Sequence, residues 1–246
     1  MKLYKADLHI HSCLSPCGVL DMSPRGIVET CLRMGLNLIA VCDHNTAENV
    51  GAVMRAGAEM GLSVLAGLEI SSKEEVHSLA LFDSEKQALD MQAFVYRHLK
   101  GLNSPEIFGN QVVVNEFDEV EGVNDRLLIG ATQISLRELI REVHRLGGLS
   151  IASHVDRPSY SILSQLGFIP SDLELDALEI FRGTRLNSVC QEIPEAAGFP
   201  VVAFSDAHCP ADIGKAYTCF FMEDAGVEEI RMALEGRAGR YCGEGR

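Results

Sequence analysis

The sequence predicts an α/β protein. Three observations carry that prediction: short runs of Val, Ile, Leu and Phe without strict alternation, amphipathic segments between them with start and stop signals, and repetition of the two along the chain. Apolar runs that do not alternate suit strands buried on both faces of a parallel sheet. Repetition of strand and helix over this length fits an α/β barrel or a doubly wound sheet, and periodicity alone leaves that choice open.

The elements follow in order. A first strand leads into His9 and His11. Ser23-Pro24 opens a helix to about Met34, closed by Gly35. LNLIAV (36–41) is the next strand, and Thr46 can cap a helix running to about Met60 ahead of Gly61. SVLAGLEI (63–70) and EVHSLALF (75–82) are strands. The stretch 101–134, rich in Asn, Gly and acids, is an irregular excursion. Ser135 and Glu138 form a capping box before LRELIREVHRL, closed by Gly147-Gly148. LSIASHV (149–155), DALEIF (176–181), PVVAFSDA (200–207) and CFFM (219–222) complete the strands. With no repeat and no Pro/Ser-rich linker, one domain over 1–246 is expected.

Composition bounds the function. The chain has 246 residues, 47% apolar and 23% charged, which is ordinary for a folded protein. No run reaches the roughly 18–20 apolar residues of a membrane helix, and the start MKLYKADLHIHS has no export-signal pattern, so a cytoplasmic protein is expected. Its 21 basic and 35 acidic residues give a net charge of −14. Such a chain lacks the broad basic face of a general nucleic-acid binder, although bound divalent cations can invert the field locally. None of the eight cysteines forms a C-x-x-C pair, which reads as free thiols in a reducing compartment.

The histidines carry the chemistry. Six of eight lie in or beside predicted strands: His9, His11, His44, His77, His154 and His208. The other two, His98 and His144, fall on helix faces. In α/β architectures the carboxyl ends of the strands build the site. His9-x-His11 on an extended segment aims two imidazoles the same way, as a chelate. Asp7, just ahead, is placed to orient one of those rings from behind. Asp206-x-His208 repeats the geometry with a carboxylate. Glu69 ends a strand and can bridge two cations roughly 3.5–4 Å apart, the spacing used for in-line phosphoryl displacement.

These motifs, Asp7-Leu8-His9-Ile10-His11-Ser12, Cys42-Asp43-His44-Asn45, Gly67-Leu68-Glu69-Ile70, His77, His154 and Ser205-Asp206-Ala207-His208, resemble the PHP (polymerase and histidinol phosphatase) family of metal-dependent phosphoesterases. The resemblance implies a distorted (β/α)7 barrel with two or three divalent ions (Zn, Fe or Mn) at the carboxyl ends of the strands. It implies a first metal on His9, His11, Glu69 and Asp206, a second on Glu69, His77 and His154, and a third on His44 and His208. Members place an Asp or His just after the first motif; here Cys17 stands there, a thiolate suited to a softer ion. Asp206 and His208 are also the candidate catalytic groups. Asp43 is expected behind His44 as its partner. Arg157 and Arg182, next to strand ends, are candidates for binding substrate phosphate.

Attack in line by metal-activated water on a small phosphorylated metabolite, nucleotide-like or histidinol-phosphate-like, is the function expected. The chain has no G-x-S-x-G elbow, no C-x5-R loop and no P-loop. A 5′–3′ exonuclease on short oligonucleotides would need a basic or aromatic track, which the sequence does not display. A non-catalytic metal-binding module and an amidohydrolase rank below both.

Overall fold

Strand β1 (Lys2–Ile10) sets the frame. Its Tyr4, Ala6 and Leu8 pack into one apolar cluster, whereas Ile10 packs into another on the opposite face. Strict alternation would keep all four together. The parity changes because the pairing of β1 with its parallel neighbour β2 (Leu38–Val41) slips between Asp7 and Ile10. Between them runs α1 (Pro24–Arg33), which starts as its sequence predicts: the Ser23 hydroxyl accepts from Gly26 N–H, and Pro24 takes the first turn.

The next helix, α2 (Val50–Met60), begins later than Thr46 suggests, because Asn49 occupies the cap position with no side-chain cap bond. The Thr46 hydroxyl instead donates to Gln92 Oε1. Strand β3 (Ser63–Ser71) is parallel to β2, but β4 (His77–Phe82) runs antiparallel to it, against the parallel sheet expected from sequence. A parallel return needs a crossover of a dozen or more residues, and the link between β3 and β4 is far shorter. After α3 (Glu85–His98) the excursion holds the short α4 (Pro105–Phe108) and a separate hairpin, β5 (Val112–Val114) with β6 (Val120–Val123). Both halves of the Ser135–Glu138 capping box are formed at the start of α5 (Leu136–Arg145).

Strand β7 (Leu149–Ala152) is antiparallel to β4. Past α6 (Ile162–Leu166), β8 (Ala177–Ile180) is parallel to β7. Past α7 (Val189–Glu192), β9 (Val201–Ala203) is parallel to β8. The chain ends with β10 (Thr218–Met222), α8 (Val227–Leu234) and β11 (Tyr241–Glu244). The computed structural model describes residues 1–181 and 189–244.

The main sheet has the order β11-β10-β1-β2-β3-β4-β7-β8-β9. Beyond β9 the chain returns to β1, where Ile10 bridges Ala207 and His11 N–H donates to Ala207 C=O at 2.9 Å. That bridge nearly closes the strands from β1 to β9 into a barrel, with β10 and β11 attached antiparallel at the seam. Alternate strand residues divide between two layers. Leu38, Ala40, Leu65, Leu79, Leu81, Ile151, Phe204 and Phe220 form one cluster, while Ile39, Val41, Leu68, Ile70 and Phe82 pack with α1, α2, α3 and α5.

Candidate metal centre

At one mouth of the barrel six histidines and two acids converge. The register slip in β1 brings His9 to the face that carries Leu8, so His9 and His11 present their Nε2 atoms 3.2 Å apart. Glu69 shares its face of β3 with Leu65. Its Oε1 lies 3.1 Å from His77 Nδ1 and from His154 Nε2, and 3.4 Å from His9 Nε2; its Oε2 lies 3.1 Å from His44 Nδ1 and 3.5 Å from His11 Nε2. His77 begins β4 rather than ending a strand, and the antiparallel direction of β4 is what brings it to this mouth. The bridge to Ala207 sets Asp206 beside the pair, with Oδ1 3.4 Å from His9 Nε2 and 3.3 Å from His11 Nε2. Asp206 adopts φ +48° and His154 φ +32°, conformations that non-glycine residues seldom hold.

Two buried relays fix which ring nitrogen faces the centre. Glu179, from β8, takes His9 Nδ1 with both oxygens, at 2.9 and 3.0 Å. A carboxylate accepts, so Nδ1 carries the proton and Nε2 turns a lone pair inward. For His11 the relay has two members. The Ser15 hydroxyl donates to Asp43 Oδ1 at 2.6 Å, so it meets His11 Nδ1, 2.9 Å away, as an acceptor. His11 Nε2 is thereby also left bare. Glu179 and Ser15 were not singled out from the sequence; the signal for Glu179 is a lone acid inside the apolar run DALEIF.

These relays correct two expectations. Asp7 orients no ring: its oxygens accept from the N–H groups of Ser205 and Gly214, tying β1 to the segment around Asp206. Full burial pushes its carboxyl up to about 6, against those hydrogen bonds. Asp43 serves His11 through Ser15 rather than acting as the side-chain partner of His44, and it also accepts from the Ser12 N–H and hydroxyl.

Two imidazole nitrogens 3.2 Å apart, with carboxylates against both, need either a second proton on His9 or a cation between them. Among the described residues Glu69 Oε2 and His154 Nδ1 are buried with no hydrogen bond, although His44 Nδ1 lies 3.1 Å from Oε2. A buried carboxylate oxygen without a donor in a nest of ring nitrogens is the chemistry of a cation site, so the residues fit divalent metal. Three groups offer ligand atoms that lie within 4.8 Å of one another: His9, His11 and Asp206; His11, His44 and His208; and His44, Glu69 and His77. The first agrees with part of the set implied from sequence; the other two divide the histidines differently, with His11 and His44 each shared.

Charge runs the same way. Burial alone would raise the Glu69 carboxyl, but His77 and His9 beside it hold it well below the usual range. Burial likewise opposes ionisation of Asp206, and His9 and His11 overcome it. Burial holds His11 and His77 neutral, with neighbouring rings adding to the effect at His11.

Around this floor lies a cavity of about 320 Å³, walled by Cys17, Ile129, Arg157 and Tyr160 together with the cluster. Burial works against the Cys17 thiolate, yet hydrogen bonds from His208 and His44 bring the thiol down to about 6. Arg157 donates to Asp206 Oδ2 at 2.6 Å and lies 4.9 Å over the Phe181 ring. Arg182, the other arginine expected to bind phosphate, lies outside the described residues. His98 and His144 are remote from the centre: His98 Nδ1 bonds Phe94 C=O, and His144 pairs with Asp176. No helix among the described residues is long and apolar enough to cross a membrane.

Comparison with known proteins gives the family and the fold. An uncharacterized protein of Methanocaldococcus jannaschii is 28% identical over 210 residues, covering 78% of this chain and 95% of that protein. A 5′-3′ exoribonuclease of Haemophilus influenzae is 39% identical over 71 residues, 29% of this chain and 25% of that protein. Among solved structures, the lesion-specific endonuclease Q of Pyrococcus furiosus superposes with a TM-score of 0.71 at 20% identity. That match covers 98% of this chain, which spans 58% of the endonuclease. Endonuclease Q has also been solved with a 27-mer duplex substrate carrying an abasic lesion at its active site. The PHP domain model matches residues 7–167 and the PHP-associated model residues 185–239, so the chain belongs to the PHP domain family of metal-dependent phosphoesterases.

Proposed function

We propose that this protein hydrolyses a small phosphate ester of nucleotide type at the histidine-lined mouth of its barrel. The observation that carries this reading is one cavity in which His44, Glu69, His77, His154, Asp206 and His208 line the wall and Arg157 stands at the edge. The first set suits divalent cations, and the guanidinium suits a phosphate oxygen pair. A volume of about 320 Å³ suits a small ligand better than a duplex.

His9, His11, His44, Glu69, His77, His154, Asp206 and His208, with Cys17 as a further ligand, would hold divalent ions, which would supply Lewis-acid stabilisation and a lowered pKa for water. The protein's own part is preorganisation. Glu179 and Ser15 hold His9 and His11 with Nε2 inward. Arg157 lies over the Phe181 ring and pairs with Asp206, a carboxylate it can exchange for a substrate phosphoryl group. The His208 ring is aimed by donation from its Nδ1 to the Asp206 backbone oxygen.

Phosphate release from nucleoside mono- and bisphosphates and histidinol phosphate, with Mn²⁺ and separately with chelator, tests the reading. Chelator-sensitive release that His9→Ala abolishes is the expected result; silence across the panel with metal bound would overturn it. The second reading, 5′–3′ cleavage of short oligonucleotides, is favoured by the stretch shared with the Haemophilus influenzae exoribonuclease. End-labelled oligonucleotides in the same assay separate the two.

A further inference from the structure

Tyr160 stands in the same cavity, and packing does not account for it. It adopts φ +57°, a left-handed backbone that an aromatic residue holds at a cost. A buried ring would offset that cost, but Tyr160 is 48% exposed. Among the described residues its hydroxyl bonds to no protein atom, and its ring stacks on no ring but that of His77, at 4.9 Å and 16°.

The local chain nevertheless fixes it firmly. The Tyr160 carbonyl accepts from His77 N–H at 2.9 Å. The next residue, Ser161, donates from its hydroxyl to Arg157 C=O and joins a capping box with Ser164. One segment therefore carries His154, Arg157 and Tyr160, and the ring rests on His77, which touches Glu69. A strained, held and half-exposed ring beside a phosphate-binding guanidinium lacks only a partner for its open surface.

We infer that Tyr160 is a specificity residue: its ring is a stacking platform for a planar ring in the substrate, next to the phosphoryl group that the centre holds. The inference deepens the nucleotide reading above and rests on it. It requires the substrate to carry a nucleobase or a similar aromatic ring. A sugar phosphate without a ring leaves the platform bare.

Tyr160→Phe and Tyr160→Gly separate the effects, because Gly removes the ring and relieves the left-handed backbone while Phe keeps the ring. The metal-loaded full chain is compared on adenosine 5′-monophosphate and ribose 5-phosphate, by steady-state kinetics and by calorimetric binding. Stacking predicts that Tyr160→Gly weakens nucleotide binding and raises its KM about tenfold or more beyond any change on ribose 5-phosphate, and that Tyr160→Phe rescues this difference. Equal losses on both ligands, or no loss on either, would overturn the inference. If the wild type prefers the nucleotide in binding but hydrolyses neither ligand, the phosphoesterase reading fails and the platform stands. If it hydrolyses both without preference, the platform fails and the phosphoesterase reading stands.

Discussion

Glu179 grips His9 Nδ1 with both carboxylate oxygens, at 2.9 and 3.0 Å, and its Oε2 also accepts from His154 N–H. One buried acid in β8 thus sets the ring of a histidine in β1 and the backbone of a histidine after β7. Its charge orients both and, with Glu69 and Asp206, overcomes burial to raise the His9 pKa well above its ordinary value.

Glu179→Gln should therefore weaken metal binding without touching a ligand. The amide oxygen can still accept at the Oε2 position, from His9 Nδ1–H and His154 N–H, but the charge is lost and an N–H replaces the second acceptor beside the ring. Loss of such an orienting partner lowers metal affinity by roughly 10–100-fold. Metal content after dialysis against graded chelator checks this. Retention equal to wild type would show that His9 is aimed by packing alone.

Metal removal should lower thermal stability. Without a cation His9 must take a second proton to meet His11 Nε2, and Glu69 Oε2 has no donor among the described residues. A ligand at a hundredfold excess over its Kd adds about 2.7 kcal/mol. For a chain of this size that corresponds to a Tm rise of roughly 5–10 °C. Thermal scans of stripped protein with and without Mn²⁺ or Zn²⁺ measure it. A Tm that ignores metal would argue against an internal centre.

Much of the centre was legible in the sequence because histidine is conspicuous at strand ends: His9, His11, His44, His154 and His208 lie where the pattern puts them. The acids were harder. Asp7 and Glu179 both sit in apolar strands, and only the register slip in β1 decides that His9 turns toward Glu179 and away from Asp7. A slip of that kind leaves no trace in composition. Strand direction was readable in principle, since the short link from Ser71 to His77 excludes a crossover, but apolar periodicity carries no direction. The tautomers of His9 and His11 depend on Glu179 and on Asp43 acting through Ser15, contacts between segments distant in sequence.

Cys17 should be the most reactive thiol of the metal-free protein. Solvent reaches the residue, and although its packed surroundings oppose the charge, hydrogen bonds from His208 and His44 bring the thiol to about 6, so it is largely thiolate at neutral pH. Burial raises Cys13 to about 12 and also pushes Cys31 and Cys42 well above the ordinary thiol value, so these stay protonated. Iodoacetamide alkylation followed by peptide mapping should show Cys17 labelled first, its rate rising with pH to half-maximum near pH 6. Added Zn²⁺ should suppress the reaction if the thiolate binds metal. A half-maximum near the ordinary thiol value would remove the basis for a thiolate ligand here.

Ser15 offers the sharpest test of tautomer control. Its hydroxyl proton is committed to Asp43 at 2.6 Å, so its lone pairs receive His11 Nδ1–H at 2.9 Å and His44 N–H at 3.2 Å. Ser15→Ala leaves those buried donors unmet, at a cost of roughly 1–3 kcal/mol each, and should lower stability and metal affinity together. Asp43→Asn acts differently. Oδ1 accepts from both the Ser15 hydroxyl and the Ser12 N–H, so the amide oxygen takes that place and its NH2 faces the Ser12 hydroxyl, which loses its acceptor. The Ser15 proton stays directed away from His11. Stability should fall while metal affinity falls less than in Ser15→Ala, and ¹⁵N imidazole spectra of the metal-free variant should keep His11 in its Nδ1–H tautomer. A switch of His11 to Nε2–H in this variant would overturn the relay as described.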